Sequence, residues 1–236
     1  RYSTWEVSRG QEGDIWKGQI KEPEIPQSVG DERERVAFQK TLIRQDWINR
    51  NQIHKEEDMP QAKTFKMGME FLENNFDEDN WFLQIETFDP HEPFYTLDEY
   101  KNLYTDNYNG AHFDWPSYGK VGERLEEVEH LKTNYAALVS MCDYYLGKVL
   151  DFMDSKNMWE DTMLIVLTDH GFLLAEHDWW GKLVMPFYNE IAHIPLHIWD
   201  PRSKKRGQRN NNLVQMIDIA PTLLDFFSIE IPIDMQ

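Results

Sequence analysis

Cysteine is almost absent: Cys142 is the only one in 236 residues. That excludes an intrachain disulfide and any cluster of thiolate metal ligands, and it sits more easily with a reducing compartment, the cytoplasm, than with export. Positive charge is scarce too. With 24 basic against 42 acidic residues the formal net charge is −18, and so acidic a chain has no electrostatic footprint for a nucleic-acid backbone. The one dense basic cluster, Arg202-Ser203-Lys204-Lys205-Arg206, lies between Pro201 and Asn210-Asn211-Asn212 and reads as a solvated loop. No apolar run approaches the roughly 18 residues of a membrane span. Repeats and low-complexity tracts are missing, as are an initiator Met before Arg1 and a signal-peptide pattern. The expectation is that something preceding Arg1 has been removed.

What is present suits one α/β domain. Hydrophobic residues make up 41% and aromatics 14%, enough for a sizeable core. Residues 1–60 are expected to be irregular and partly helical, with a helix over Arg33–Arg50; residues 61–236 carry the core. Ala62, Phe65, Met69 and Leu72 share one face of a helix over Gln61–Asn75. Trp81–Phe88 is short, aromatic and β-branched and stops at Asp89-Pro90, which predicts a strand. Leu131, Tyr135, Leu138, Cys142, Tyr145, Val149 and Met153 recur at steps of three and four, the strongest helical signal. Thr162–Thr168 is a continuous apolar run of strand length, expected to be buried on both faces of a parallel or mixed sheet. His193–Trp199 predicts a further strand, at an edge because of Pro195. Asp218 precedes a last helix, Ile219–Phe227, with Pro221 in its first turn. Helices alternating with strands predict a mixed β-sheet flanked by helices.

Ligands of such sheets sit beyond the carboxyl ends of strands, and two strands here end in polar loops. One gives Asp89-Pro90-His91-Glu92-Pro93-Phe94, with His91 flanked by prolines. The other gives Asp169-His170-Gly171, then Glu176-His177 and Gly181-Lys182. A carboxylate and an imidazole on consecutive turn residues can converge on one cation, with Gly171 allowing a sharp turn; equally, Asp169 could cap the next helix and His170 bond locally. Lys182 alone reads as solvated surface. Trp179 and Trp180 read as packing residues more readily than as a sugar platform, and Cys142, on an apolar helix face, as a small hydrophobe.

In order along the chain, WFLQIETFDPHEPF (81–94), YAALVSMCDYYLGKVL (135–150), TMLIVLTDHGFLLAEHDWWGK (162–182), residues 191–201 and IDIAPTLLDFFSIEI within 214–231 resemble the sulfatase family of the alkaline phosphatase superfamily. The resemblance implies a partial sulfatase-like sandwich and hydrolysis of a sulfuric ester, with a carbohydrate sulfate ester as the default substrate. It makes Asp169 and His170 metal ligands. His91 and Lys182 become the catalytic pair that binds the sulfuryl oxygens, His91 also protonating the leaving alcohol. His177, read from its place after Glu176, either contacts the substrate or, as the favoured reading, supports the residues that do. Calcium is the implied ion; because His170 stands where many members have Asn, Mn²⁺ or Zn²⁺ also suits the donors.

The pattern falls short of the family in three respects: the nucleophile motif, the early strand with two further acidic metal ligands, and the C-terminal subdomain expected to begin about where Gln236 stands. The Cys/Ser-x-Pro-x-Arg motif that supplies the formylglycine nucleophile does not occur; Cys142 is followed by Asp-Tyr-Tyr-Leu. The chain is therefore expected to be an internal slice of a larger enzyme, inactive alone, with its formylglycine and further acidic ligands in the missing N-terminal part and with exposed apolar surface. A phosphonate or phosphodiester hydrolase of the same superfamily, and a noncatalytic binder of sulfated ligands, are the rival readings.

Overall fold

The computed structural model describes residues 2–30, 37–203 and 205–235. Among these residues six α-helices and five strands, besides short 3-10 turns, occur in this order: α1 Ala37–Arg50, α2 Pro60–Asn75, α3 Asp98–Lys101, β1 Gly119–Lys120, α4 Leu125–Ser155, β2 Leu164–Leu167, β3 Leu173–Leu174, β4 Trp179–Gly181, α5 Asn189–Ala192, β5 Leu196–Trp199 and α6 Ile219–Phe226. The expected start of the first helix at Arg33 lies outside the described residues, as does Lys204 of the basic cluster.

The 31-residue helix α4 is the spine. It begins six residues before the first apolar position of its stripe, where Glu127 reaches back over the first turn: the Arg124 amide donates to Glu127 Oε2 at 2.7 Å and its guanidinium donates to Oε1 at 2.8 Å. One face then buries Val128, Leu131, Leu138, Met141, Tyr145, Val149 and Met153. Three apolar clusters line up along it. Met59, Ala62 and Tyr100 pack on its middle, Phe94, Phe113 and Trp180 on its N-terminal half, and Leu72 and Met158 near its end. Helix α2 starts at Pro60, whose missing N–H is no loss in a first turn.

Residues 81–88 are extended but form no ladder, which corrects the strand expected there. Aromatic and β-branched content favours an extended backbone, yet a strand requires a hydrogen-bonded neighbour. This segment instead lays Trp81, Leu83 and Ile85 onto the α2–α4 cluster. Ile85 rests directly on Gly68 of α2, where an added Cβ would come within 2.5 Å of it.

The strands form two small antiparallel sheets, β1-β4-β3 and β2-β5. In the second, Leu164 pairs with Trp199 and Leu167 with Leu196. All four residues of β2 are half-buried, so the run expected to be covered on both faces is only partly covered. β5 starts immediately after Pro195, where the missing donor costs no ladder bond. Towards the end of the chain Leu213, Val214, Ile217, Ile229 and Ile233 are exposed.

Candidate active site

His91 leaves the extended segment in a tight turn, its amide donating to the Phe88 carbonyl at 3.0 Å, with its ring against Phe88. Lys182 comes from the opposite direction, immediately after the central strand of the small sheet. Its approach depends on Gly181, whose φ of 104° suits glycine and whose missing Cβ leaves room for the Tyr118 ring, 2.7 Å from where that atom would lie. Lys182 Nζ and His91 Nε2 meet in direct hydrogen-bonding contact. Nδ1 of the same imidazole lies 2.6 Å from the Glu92 carbonyl oxygen. A carbonyl can only accept, so the proton sits on Nδ1 and Nε2 presents its lone pair to the ammonium. Burial pushes the His91 pKa below its ordinary value; Glu92 pulls it back, while Lys182 and His170 push it further down.

Acidic groups surround this pair. Glu92 is almost fully buried; its Oε1 accepts a hydrogen bond from the Tyr118 hydroxyl and its Oε2 lies 3.7 Å from Lys182 Nζ. A loop from the N-terminal segment adds one more acid, Glu12, and the amide of Gln11. Gln11 Nε2 donates to Asp89 Oδ1 at 2.7 Å, and half-buried Glu12 is raised to about 7 by burial and by the charges of Glu92 and Asp46. That loop is fixed by α1: Asn49 Nδ2 donates to the carbonyls of Glu12 and Asp14 at 3.0 and 2.8 Å. Gln11, Glu12 and Tyr118 carry no signal in the sequence, because their roles arise from contacts across dozens of residues.

Buried Asp89 has a pH signature of its own. Burial raises it from 3.8 to about 7, against the pull of Gln11. An acid raised on folding stays protonated in the native state after the unfolded chain has ionised, so stability is lost as pH climbs between those two values. Asp89→Asn is expected to melt several degrees above the parent at pH 8 and level with it at pH 4, at about 2–4 °C per kcal/mol for a chain of this size. A melting difference independent of pH would refute the assignment.

Beyond β2, Asp169 Oδ1 accepts from the His170 amide at 2.9 Å. The other oxygen, Oδ2, lies 3.6 Å from His170 Nε2. Here too Nδ1 is turned to a carbonyl, that of Gly171 at 3.0 Å, so Nε2 is the free lone pair beside a carboxylate oxygen. A carbonyl bond at one imidazole nitrogen commonly orients the other towards a metal. These two donors fit a divalent ion as part of a donor set; among the described residues no group of three or more His, Cys, Asp or Glu is placed to complete it. Gly171 matters for close approach rather than for an unusual turn. Its amide donates to the Ile191 carbonyl at 2.9 Å, and an added Cβ would lie 1.8 Å from the Glu190 carbonyl oxygen. The His170 ring stands edge-on to that of His91, centroids 6.4 Å apart.

The structure thus brings His91, Lys182 and His170 together, with Asp169 beside His170. His177 is engaged differently: its ring stacks on Tyr188 at 3.9 Å and Nε2 lies 3.1 Å from Glu190 Oε1. Trp180 is fully buried and donates to Glu123, and Lys120 lies over Trp179. Burial pushes the Cys142 thiol up to about 12, leaving it protonated and unreactive near neutral pH.

This α/β core of small sheets flanked by helices is similar in fold to alkaline-phosphatase-like sulfatases. The phosphonate monoester hydrolase of Agrobacterium radiobacter is similar to it with a TM-score of 0.62, over 75% of this chain and 40% of that one, at 19% identity. The family profile described as Sulfatase matches residues 20–229, and the chain belongs to the sulfatase family. It is 34% identical over 103 residues to an N-acetylglucosamine-6-O-sulfatase of Bacteroides thetaiotaomicron, covering 44% of this chain and 18% of that protein. It is 24% identical over 207 residues to an arylsulfatase of Clostridium perfringens, covering 79% and 42% respectively. The chain thus spans less than half the length of these curated relatives.

Proposed function

We propose that the chain forms part of the active site of a sulfuric-ester hydrolase, in which Lys182 and His91 bind the sulfuryl group and His91 serves the leaving oxygen. The observation that carries this reading is the contact between Lys182 Nζ and the lone-pair nitrogen of His91. An ammonium donating to a neutral imidazole can transfer its hydrogen bond to an arriving sulfuryl oxygen, leaving Nε2 free to take a proton from solvent and, as the imidazolium, to hold it at the ester oxygen. Lowered basicity makes the protonated imidazole a readier donor to an alkoxide. Asp169 and His170 would supply two donors to a divalent cation, with Ca²⁺ first and Mn²⁺ or Zn²⁺ as alternatives; such an ion would polarise the group being transferred. The nucleophile, a formylglycine in this reading, comes from outside the 236 residues, which contain no Cys/Ser-x-Pro-x-Arg motif. A sulfated carbohydrate is the favoured substrate, supported by the relative named as an N-acetylglucosamine-6-O-sulfatase.

The test is sulfate against phosphate release from matched aryl esters, using protein expressed from the complete reading frame with a formylglycine-generating enzyme. Sulfate release should predominate, and Lys182→Ala should lower it roughly 10²–10³-fold, as loss of one preorganised charge contact does. Predominant phosphate release would assign the site to phosphoryl chemistry instead.

A further inference from the structure

Glu92 is 3% exposed, and a carboxylate so enclosed is costly unless its surroundings use the charge. Each of its oxygens has a distinct setting. Oε1 is clamped by the Tyr118 hydroxyl. Oε2 makes no hydrogen bond, yet lies 3.3 Å from His91 Nδ1 and 3.7 Å from Lys182 Nζ. One carboxylate therefore faces the protonated nitrogen of the imidazole and the ammonium that contacts its other nitrogen. Tyr118 is itself fixed in place, since its ring occupies the space left by Gly181, next to Lys182.

We infer that Glu92, clamped by Tyr118, is the positioning residue that sets both His91 and Lys182 for the sulfuryl group, an inference that rests on the hydrolase reading above. Its negative charge keeps the imidazole proton on Nδ1, so that Nε2 faces the reaction. The same charge holds the Lys182 ammonium at one point on the wall and partly offsets it, which limits how tightly any anion is retained. A residue that only stapled the 87–94 loop to Tyr118 would need neither of the Oε2 approaches. Nor would its charge matter, because glutamine could fill the same volume and keep a hydrogen bond to the tyrosine hydroxyl.

The two roles separate by kinetics. In the complete, matured protein, Glu92→Gln is expected to lower kcat for an alkyl sulfate, whose leaving oxygen needs the proton, roughly 100-fold, the lower range for loss of acid–base function. KM, and the inhibition constant of inorganic sulfate, should stay level or fall, because the Lys182 charge is no longer offset. Glu92→Asp, which restores the charge at a shorter reach, should recover part of kcat. A folded Glu92→Gln protein with unchanged kcat would overturn the inference. So would a loss of rate explained entirely by a smaller folded fraction in thermal melts. If Glu92→Gln does not fold, Tyr118→Phe carries the test by the same kcat-against-KM split, since it keeps the carboxylate and removes only the clamp. His91→Ala and Lys182→Ala run alongside: full activity in both defeats the hydrolase reading, whereas their loss with normal Glu92→Gln defeats only the role of Glu92.

Discussion

Replacing Arg50 with Leu should destabilise the chain by about 3–5 kcal/mol, the usual result of removing one partner from a buried ion pair. Arg50 ends α1 with its guanidinium almost fully enclosed, Nε 2.7 Å from Asp46 Oδ2 and Nη1 2.5 Å from Asp114 Oδ2. The planes of Trp47 and Tyr95 lie against it at 4.9 and 4.6 Å, a stacking that lysine would not reproduce. The two carboxylates respond differently. Burial pushes Asp46 up to about 6 despite Arg50, whereas Arg50 and His112 overcome burial at Asp114 and hold it well below the usual carboxylate range. Without the guanidinium, Asp46 can take a proton at modest cost. Asp114 would keep only His112, whose Nε2 lies 3.0 Å away. The damage would reach the active site, because the Asp114 carbonyl accepts the Phe94 amide at 2.8 Å, three residues after His91. Denaturant unfolding of Arg50→Leu measures the loss. Replacing Asp46 and Asp114 by Leu as well should recover most of it, since no unpaired charge would then remain buried. A loss below about 1 kcal/mol in the single variant would mean that water reaches the carboxylates.

None of that network is legible in the sequence, where Asp46, Arg50 and Asp114 are ordinary charged residues 4 and 64 positions apart. Legibility tracks the range of the interaction. Helix α4 announces itself because its apolar stripe is written within the helix, and β2 because a short apolar run between polar residues has few other solutions. The first turn of α4 stays silent; its cap is polar and adds nothing to the stripe. Trp81–Phe88 reads as a strand because composition reports extension, while pairing is decided by distant residues. The β1-β4-β3 sheet is illegible for the opposite reason: strands of two or three residues are too short to show alternation. In the site, Asp169 and His170 are visible as neighbours after a strand. The meeting of His91 with Lys182 is not contained in their spacing and rests on resemblance to a family. Glu92 lies within the segment that carries that resemblance but gives no signal of its own, because its approach to Lys182 appears only once the chain has folded back by 90 residues, and its approach to the adjacent His91 depends on the local turn.

His91→Ala should lower turnover of an alkyl sulfate by about 10²–10⁴-fold while lowering turnover of 4-nitrophenyl sulfate less than about 10-fold. The asymmetry arises from the group each ester leaves behind. A departing alkoxide is strongly basic and needs a proton as the S–O bond breaks; nitrophenolate is stable as the anion and does not. His91 can serve the first because its Nδ1 proton is committed to the Glu92 carbonyl, leaving Nε2 as the nitrogen that holds or delivers a proton. Lys182 contacts that same nitrogen, yet its contribution should not depend on the leaving group, since its charge acts on the sulfuryl oxygens common to both esters. Lys182→Ala is therefore the internal control, with similar losses for the two substrates. Kinetics of both variants with both esters separate a proton donor from an anion contact. Equal losses for His91→Ala on the two esters would remove the proton-donor role and leave the imidazole as a second anion contact beside the lysine.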